Sequence, residues 1–279
     1  MTRHLISLFF IVLALSARAQ AIYSTADSMR ISSILASIKD GGKQASTLQI
    51  AKEFIGVEYI ASTLEQNINN ERLIVDVHCF DCTTFVESVV ALTVTAAKEG
   101  DFTHYCKNLE KIRYRSGKCN GYASRLHYIS QWICDSAKTD IIKEINTGMH
   151  TATQFLNLNF MSTHPGSYRQ LCENPSLINE IIEHETPFRD ISISYIPKCE
   201  LNRSKTELKI EDGDIIAIVT AIDGLDVSHI GFAHWINGKL HLLHASSSEG
   251  RVILDDDTLY EYMQRHRKHL GIRVMRVEL

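Results

Sequence analysis

The chain has 279 residues, 44% of them hydrophobic and 22% charged, with 4 prolines and a formal net charge of −4. That composition supplies ample apolar material for a core and excludes a disordered chain. The slightly acidic balance argues against nucleic acid or an anionic membrane surface as the main partner, because both reward a strongly basic face.

The chain opens on Arg3 and His4, runs apolar from Leu5 to Leu15, and reaches Ala17-Arg18-Ala19. A basic start, a short apolar run and an A-x-A site together read as a secretory signal peptide over residues 1–19. The run is shorter than the roughly 20 apolar residues that a membrane span takes. The expectation is an exported protein, periplasmic or extracellular, with no membrane anchor after cleavage and a single domain over 20–279. Cysteines stand at 79, 82, 106, 119, 134, 172 and 199, and their odd number leaves at least one thiol free or paired with another chain.

From Ser24 to about Ile60 the spacing of Ile31, Ile34, Leu35 and Ile38, then Leu48, Ala51 and Phe54, predicts helices. Next comes Phe80-Asp81-Cys82-Thr83-Thr84-Phe85-Val86-Glu87. Asp81 is a good N-cap, and Glu87 three residues after Thr84 adds a second start signal. Apolar residues then cover most of the predicted helix surface, so the helix is expected to be buried nearly all round. Cys82 falls in its first turn, where unpaired N–H groups and the helix dipole acidify a thiol and can hold an oxyanion. The same residues also fit a buried cysteine that happens to begin a helix. Cys79 and Cys82 form a C-x-x-C, but a redox pair needs a βαβ context and a zinc site needs a second pair, and neither is present.

Helical periodicity continues to about Glu185. Within it Arg125, Tyr128 and Trp132 share one side in helical register, which suits a substrate with a carboxylate and a sugar face. An ordinary helix face with core aromatics fits the same pattern. From about Tyr195 the texture changes to β-branched runs with turn signals. Strands are predicted at Ile215–Val219, His229–Ile236, Lys239–Ala245, Arg251–Leu254 and Ile272–Val277, with a helix near Thr258–His266. Helices followed by antiparallel strands make an α+β domain.

Asn237-Gly238 predicts a two-residue hairpin turn. If the turn is flush, Ile236 opposes Lys239 and Gly231 opposes His244. His244 then lies diagonal to His229 on the same sheet face, within reach of a ring-to-ring hydrogen bond. Cys82, His229 and His244 thus supply a nucleophile, a base and an orienting group. Two histidines on one strand face also fit a satisfied core pair or half a metal site.

These residues resemble the NlpC-type cell-wall cysteine peptidases and amidases, a bacterial branch of the papain-like fold. The resemblance rests on Asp81-Cys82, Ser228-His229-Ile230-Gly231, His244-Ala245-Ser246-Ser247 and the upstream Gly56-Val57-Glu58-Tyr59. A narrower resemblance, to the N-acetylmuramoyl-L-alanine amidase-like family, adds Gly121-Tyr122-Ala123-Ser124-Arg125-Leu126-His127-Tyr128, Gly213-Asp214-Ile215-Ile216 and Gly224-Leu225-Asp226-Val227-Ser228-His229. It implies an antiparallel sheet packed on a central helix that carries the nucleophile. It also implies cleavage of the amide between the lactyl group of N-acetylmuramic acid and L-alanine in muropeptides, including 1,6-anhydro forms, without a metal or organic cofactor. Cys82, His229, His244 and Tyr59 are then the catalytic group, Tyr59 supporting the oxyanion. Asp81, Ser228, Arg125, Tyr128 and Trp132 are the substrate-binding candidates. The long stretch between Cys82 and His229 departs from the smaller superfamily domains, and it is expected to be a helical insertion over about 98–195. Peptidoglycan fragments are the expected partner, met by a monomer.

Overall fold

A computed structural model of the chain describes residues 21–40, 46–65, 71–145 and 151–279. The signal-peptide expectation for 1–19 lies outside the described residues. Among the described residues no helix is long and apolar enough to cross a membrane.

In chain order the elements are α1 (Thr25–Asp40), α2 (Thr47–Lys52), β1 (Glu58–Tyr59), β2 (Cys79–Phe80), α3 (Cys82–Ala97), α4 (Phe102–Arg113), α5 (Ile129–Ser136), β3 (Ile142–Glu144) and β4 (Ala152–Asn157). They continue with α6 (Phe160–Thr163), α7 (Arg169–Glu173), α8 (Leu177–Glu185), β5 (Arg189–Pro197), α9 (Lys205–Leu208), β6 (Ile215–Thr220), β7 (Val227–Ile236), β8 (Lys239–Ser246), β9 (Arg251–Thr258), α10 (Leu259–Arg265) and β10 (His269–Val277). One curled sheet runs β2-β1-β9-β8-β7-β6-β10-β5-β4, with β3 added on β10. The α+β class is as the sequence predicts. The sheet is mixed, however, because β1 pairs with β2 in parallel while the other pairings are antiparallel.

The stretch expected to be a helical insertion carries three strands, β3, β4 and β5, among its short helices. β4 forms the sheet's edge and β5 joins it to β10; both are largely half-exposed, and the alternation Ile191-Ser192-Ile193-Ser194-Tyr195 was the available strand signal in β5.

α3 is wedged into the main core: every residue from Thr84 to Thr95 is buried. Phe85 is fully buried and meets Phe54, Phe80 and, on β7, Phe232 edge to face or tilted. Burying such a ring contributes roughly 2–3 kcal/mol, so the contact with Phe232 clamps the start of α3 against the strand that carries His229. Two threonines inside the helix are satisfied by the backbone, Thr93 on Val89 O and Thr95 on Ala91 O. A second core of Ile216, Ile218, Leu242, Leu259, Met263 and Ile272 fills the other sheet face under α10.

The hairpin is flush. Ile236 opposes Lys239, Trp235 opposes Leu240 and Phe232 opposes Leu243. Asn237 and Gly238 have φ of 49° and 75°, the paired positive values that a two-residue turn demands. β6 and β7 slip by one residue between the pairs Ile218–His229 and Val219–Val227, which makes Ser228 the extra residue of a bulge. Bulges bend a strand and re-aim its side chains, and this one adjoins His229.

Candidate active site

Asp81 caps α3. Its Oδ1 accepts from the Thr84 N–H at 2.8 Å, while the Thr84 hydroxyl accepts from the Asp81 N–H at 3.0 Å. The predicted second start signal at Glu87 is not used for capping. Glu87 is instead a buried partner of Arg113, 2.7 Å away. Asp81 takes the Thr84 N–H, so the Cys82 and Thr83 N–H groups of the first turn lie outside the capping box, and the Cys82 N–H faces its own thiol.

Cys82 is partly covered, and its Sγ lies against the backbone N–H of Ile230, the residue that follows His229. Across from it, His229 Nε2 meets His244 Nδ1 at 2.6 Å with the two rings almost perpendicular. This is the diagonal contact that the hairpin register predicts. With Nε2 engaged, Nδ1 is the nitrogen of His229 left for another partner. Gly231 makes the approach possible: a Cβ there would meet Leu243 O at 2.8 Å and His244 Cβ at 2.9 Å.

Burial pushes the Cys82 thiol up to about 11, with the Asp81 charge adding to it, against the bonds from Thr83 and Ile230. Burial also draws the His229 imidazole down to about 3, with the neighbouring His244 next in effect. Solvent reaches part of both side chains, so hydration is reduced and not abolished. The direction is that of a neutral thiol beside a neutral imidazole. The acidifying effect expected of the helix terminus is therefore outweighed by desolvation in the resting site.

Tyr59 pairs with Phe80 across β1 and β2, which sets it beside the approach to Cys82. Burial raises its pKa, and the neighbouring Cys82 and Asp81 groups act in the same direction, so its hydroxyl stays a donor. Ser228 sits in the bulge with its Oγ buried and unpartnered among the described residues.

Three substrate-binding candidates are placed differently from expectation. Arg125 and Tyr128 precede α5 in extended backbone, so they do not share a helix face with Trp132. The Arg125 guanidinium is gripped by Glu71, Glu65 and the Leu64 carbonyl, although it lines a cavity of about 590 Å³ beside Asp81 and Thr83. The Tyr128 hydroxyl donates to Glu185 and accepts from the Met161 N–H. Trp132 is 2% exposed in the main core. Their rings are packing residues, as an ordinary core pattern also allowed.

Sequence reasoning missed Asp255 and Tyr262. The Asp255 carboxylate stands 3.5 Å from His244 Nε2, and Tyr262 packs edge-on against the His244 ring. β9 runs on past the predicted end at Leu254 to Thr258, and its register slips against β8 in this stretch. The run Asp255-Asp256-Asp257 was the available signal. Both residues line a cavity of about 820 Å³ that also includes Gly56 and Ser246.

All seven cysteines are free thiols. Cys79 donates to Asp76 at 3.2 Å, and burial together with that carboxylate pushes its thiol up to about 12. A thiol so protonated is a poor dithiol partner for Cys82. Among the described residues no group of three or more His, Cys, Asp or Glu is arranged to hold a metal ion.

An α+β frame with a curled mixed sheet, carrying a helix-borne thiol beside the strand that holds a histidine pair, places the chain among amidase-like proteins of that architecture. More narrowly, the model of the AmiA-like, N-acetylmuramoyl-L-alanine amidase-like family matches residues 49–272, and the chain belongs to that family. An N-acetylmuramoyl-L-alanine amidase from Bacteroides uniformis is similar at 36% identity with a TM-score of 0.80, over 85% of this chain and 99% of that one. A protein from Bacteroides fragilis described as a putative xylanase is similar at 38% identity with a TM-score of 0.77, over 82% and 99% of the two chains. A Legionella pneumophila protein at 22% identity, with a TM-score of 0.68 over 91% and 95%, shares the fold. No curated protein matches the chain.

Proposed function

We propose that this chain is a cysteine amidase of NlpC-type, papain-like arrangement. It cleaves the amide between the lactyl group of N-acetylmuramic acid and L-alanine in peptidoglycan fragments. The observation that carries the mechanism is the 2.6 Å contact between His229 Nε2 and His244 Nδ1, with Cys82 beside Ile230 at the start of α3. Family membership and the Bacteroides uniformis amidase support the substrate class.

In this reading Cys82 gives its proton to His229 Nδ1 as Sγ attacks the lactyl carbonyl carbon. A neutral pair in a desolvated site needs this transfer to accompany attack. The Cys82 and Thr83 N–H groups and the Tyr59 hydroxyl meet the oxyanion. His229 then protonates the departing L-alanine nitrogen, the C–N bond breaks, and a thioester remains on Cys82. Water attacks the thioester, giving its proton to His229, and the released thiolate recovers that proton as the muramoyl acid leaves. His244 holds the His229 ring throughout. Residues 20–279 act as one domain, exported after cleavage of the leader.

The test is incubation of the mature protein and its Cys82→Ala variant with anhydro and reducing muropeptides, read by mass. Release of stem peptide beginning with L-alanine, lost in the variant, is expected. Cleavage deeper in the stem would keep the chemistry and overturn the substrate. No cleavage by the unmodified protein would overturn the proposal.

A further inference from the structure

His244 Nε2 is buried, and no protein group makes a hydrogen bond with it among the described residues. The Asp255 carboxylate faces it at 3.5 Å, within ion-pair range but longer than a formed hydrogen bond. Catalytic contacts are often this loose before substrate binds and tighten afterwards. The two Asp255 oxygens are not equivalent. Oδ1 accepts the backbone N–H of Asp257 at 3.0 Å, which leaves Oδ2 toward His244.

We propose that Asp255 is a positioning residue that sets which nitrogen of His229 carries the proton, acting through His244. The inference rests on the amidase reading only for its turnover assay. A carboxylate only accepts hydrogen bonds, so Oδ2 selects the His244 tautomer protonated at Nε2. His244 Nδ1 then has a lone pair and accepts from His229 Nε2–H. The remaining nitrogen of His229, Nδ1, is left bare for the Cys82 proton. Two rings in series transmit the polarity of one carboxylate to the base, and no proton reaches Asp255. When His229 becomes a cation during attack, the same carboxylate stabilises the charge. Around the carboxylate stand His244 on β8, Tyr262 and Arg265 on α10, and the neighbouring Asp257.

The geometry makes an isosteric change the informative one. In Asp255→Asn, the Asp257 N–H keeps the amide oxygen at the Oδ1 position, so the NH₂ turns toward His244. Donating there requires a lone pair on His244 Nε2, which moves its proton to Nδ1, and that in turn moves the His229 proton onto Nδ1. An N–H then faces the thiol and the base is gone. Asp255→Ala removes the selection without reversing it, since water can take either role.

Both variants would be compared with the unmodified protein by ¹⁵N NMR of the histidine rings, by Cys82 alkylation with iodoacetamide, and by muropeptide turnover. The expected result is His229 protonated at Nε2 in the unmodified protein and at Nδ1 in Asp255→Asn. Turnover of Asp255→Asn should fall about 100-fold or more at nearly constant KM, further than in Asp255→Ala, by analogy with tautomer loss in serine-protease triads. An unchanged His229 tautomer in Asp255→Asn, or turnover within about threefold of the unmodified protein, would overturn the proposal, because hydrogen-bond polarity is all that this substitution alters. NMR and alkylation need no substrate. A reversed tautomer in a protein that cleaves no muropeptide would therefore sustain the role of Asp255 while refuting the substrate reading.

Discussion

His229 and His244 are joined nitrogen to nitrogen at 2.6 Å although 15 positions apart, because a two-residue turn brings β7 and β8 back in flush register. The turn at Asn237-Gly238, far along the hairpin from the chemistry, decides which face each ring points to. One residue of slip would send the His244 ring through the sheet.

Removing His244 should therefore cost rate and not binding. His244→Ala leaves His229 Nε2 without its partner and the ring free to turn. We expect kcat on muropeptides to fall about 10²–10³-fold, with KM changed less than about threefold and His244→Asn recovering part of the loss. A His244→Ala enzyme with near-normal kcat would rule out an orienting role.

Gly231 should be intolerant for a geometric reason. In Gly231→Ala the new methyl meets the Leu243 carbonyl at 2.8 Å and His244 Cβ at 2.9 Å. A backbone oxygen cannot swing aside, so the strands must part and carry His244 with them. A loss of turnover of at least about tenfold should appear together with a weakened His229–His244 contact in a crystal structure, beside a stability cost of about 1–3 kcal/mol from overpacking. Full activity in a folded Gly231→Ala protein would contradict the tight approach.

Acid should spare the enzyme's rate more than an ordinary histidine base would. A base titrating near its usual value of about 6.5 is some nine-tenths protonated at about pH 5.5, an activity loss of about tenfold relative to pH 7.5. Burial draws His229 down to about 3, so its neutral form persists through that range. The expectation is kcat/KM within about twofold between these two pH values. A tenfold fall at the lower pH, with the fold intact by circular dichroism, would show that His229 is not depressed.

Arg125 should prove structural. Its side chain is 7% exposed, with Nε and Nη2 on Glu71 at 2.7 Å and Nη1 on Glu65 at 2.8 Å. Arg125→Met strands a Glu71 side chain that is only 3% exposed. Breaking one side of a buried pair costs about 3–5 kcal/mol, which urea unfolding would register, while KM for muropeptides stays within about threefold. A stable Arg125→Met protein with a large rise in KM would restore the substrate role inferred from the aromatic and cationic pattern.

Much of this architecture is legible in the sequence because it depends on local rules. Asp81 before an apolar run fixes the start of α3, Asn237-Gly238 fixes a hairpin register, and β-branched runs fix β6 to β10. Those three local features carry Cys82, His229 and His244. The segment around Arg125 reads wrongly because apolar spacing there is set by packing against Leu158, Met161 and Glu185, not by helical periodicity.

The order and local form of most elements follow from the sequence alone, since caps, turns and alternation act over a few neighbours. The tertiary structure alone decided the rest. It withdrew Glu87, Arg125 and Trp132 into the interior, slipped β9 so that Asp255 faces His244, and reduced the hydration of Cys82 and His229 so that both favour their neutral forms. Desolvation and long-range pairing depend on what the rest of the chain packs around a group, and no window of sequence contains that.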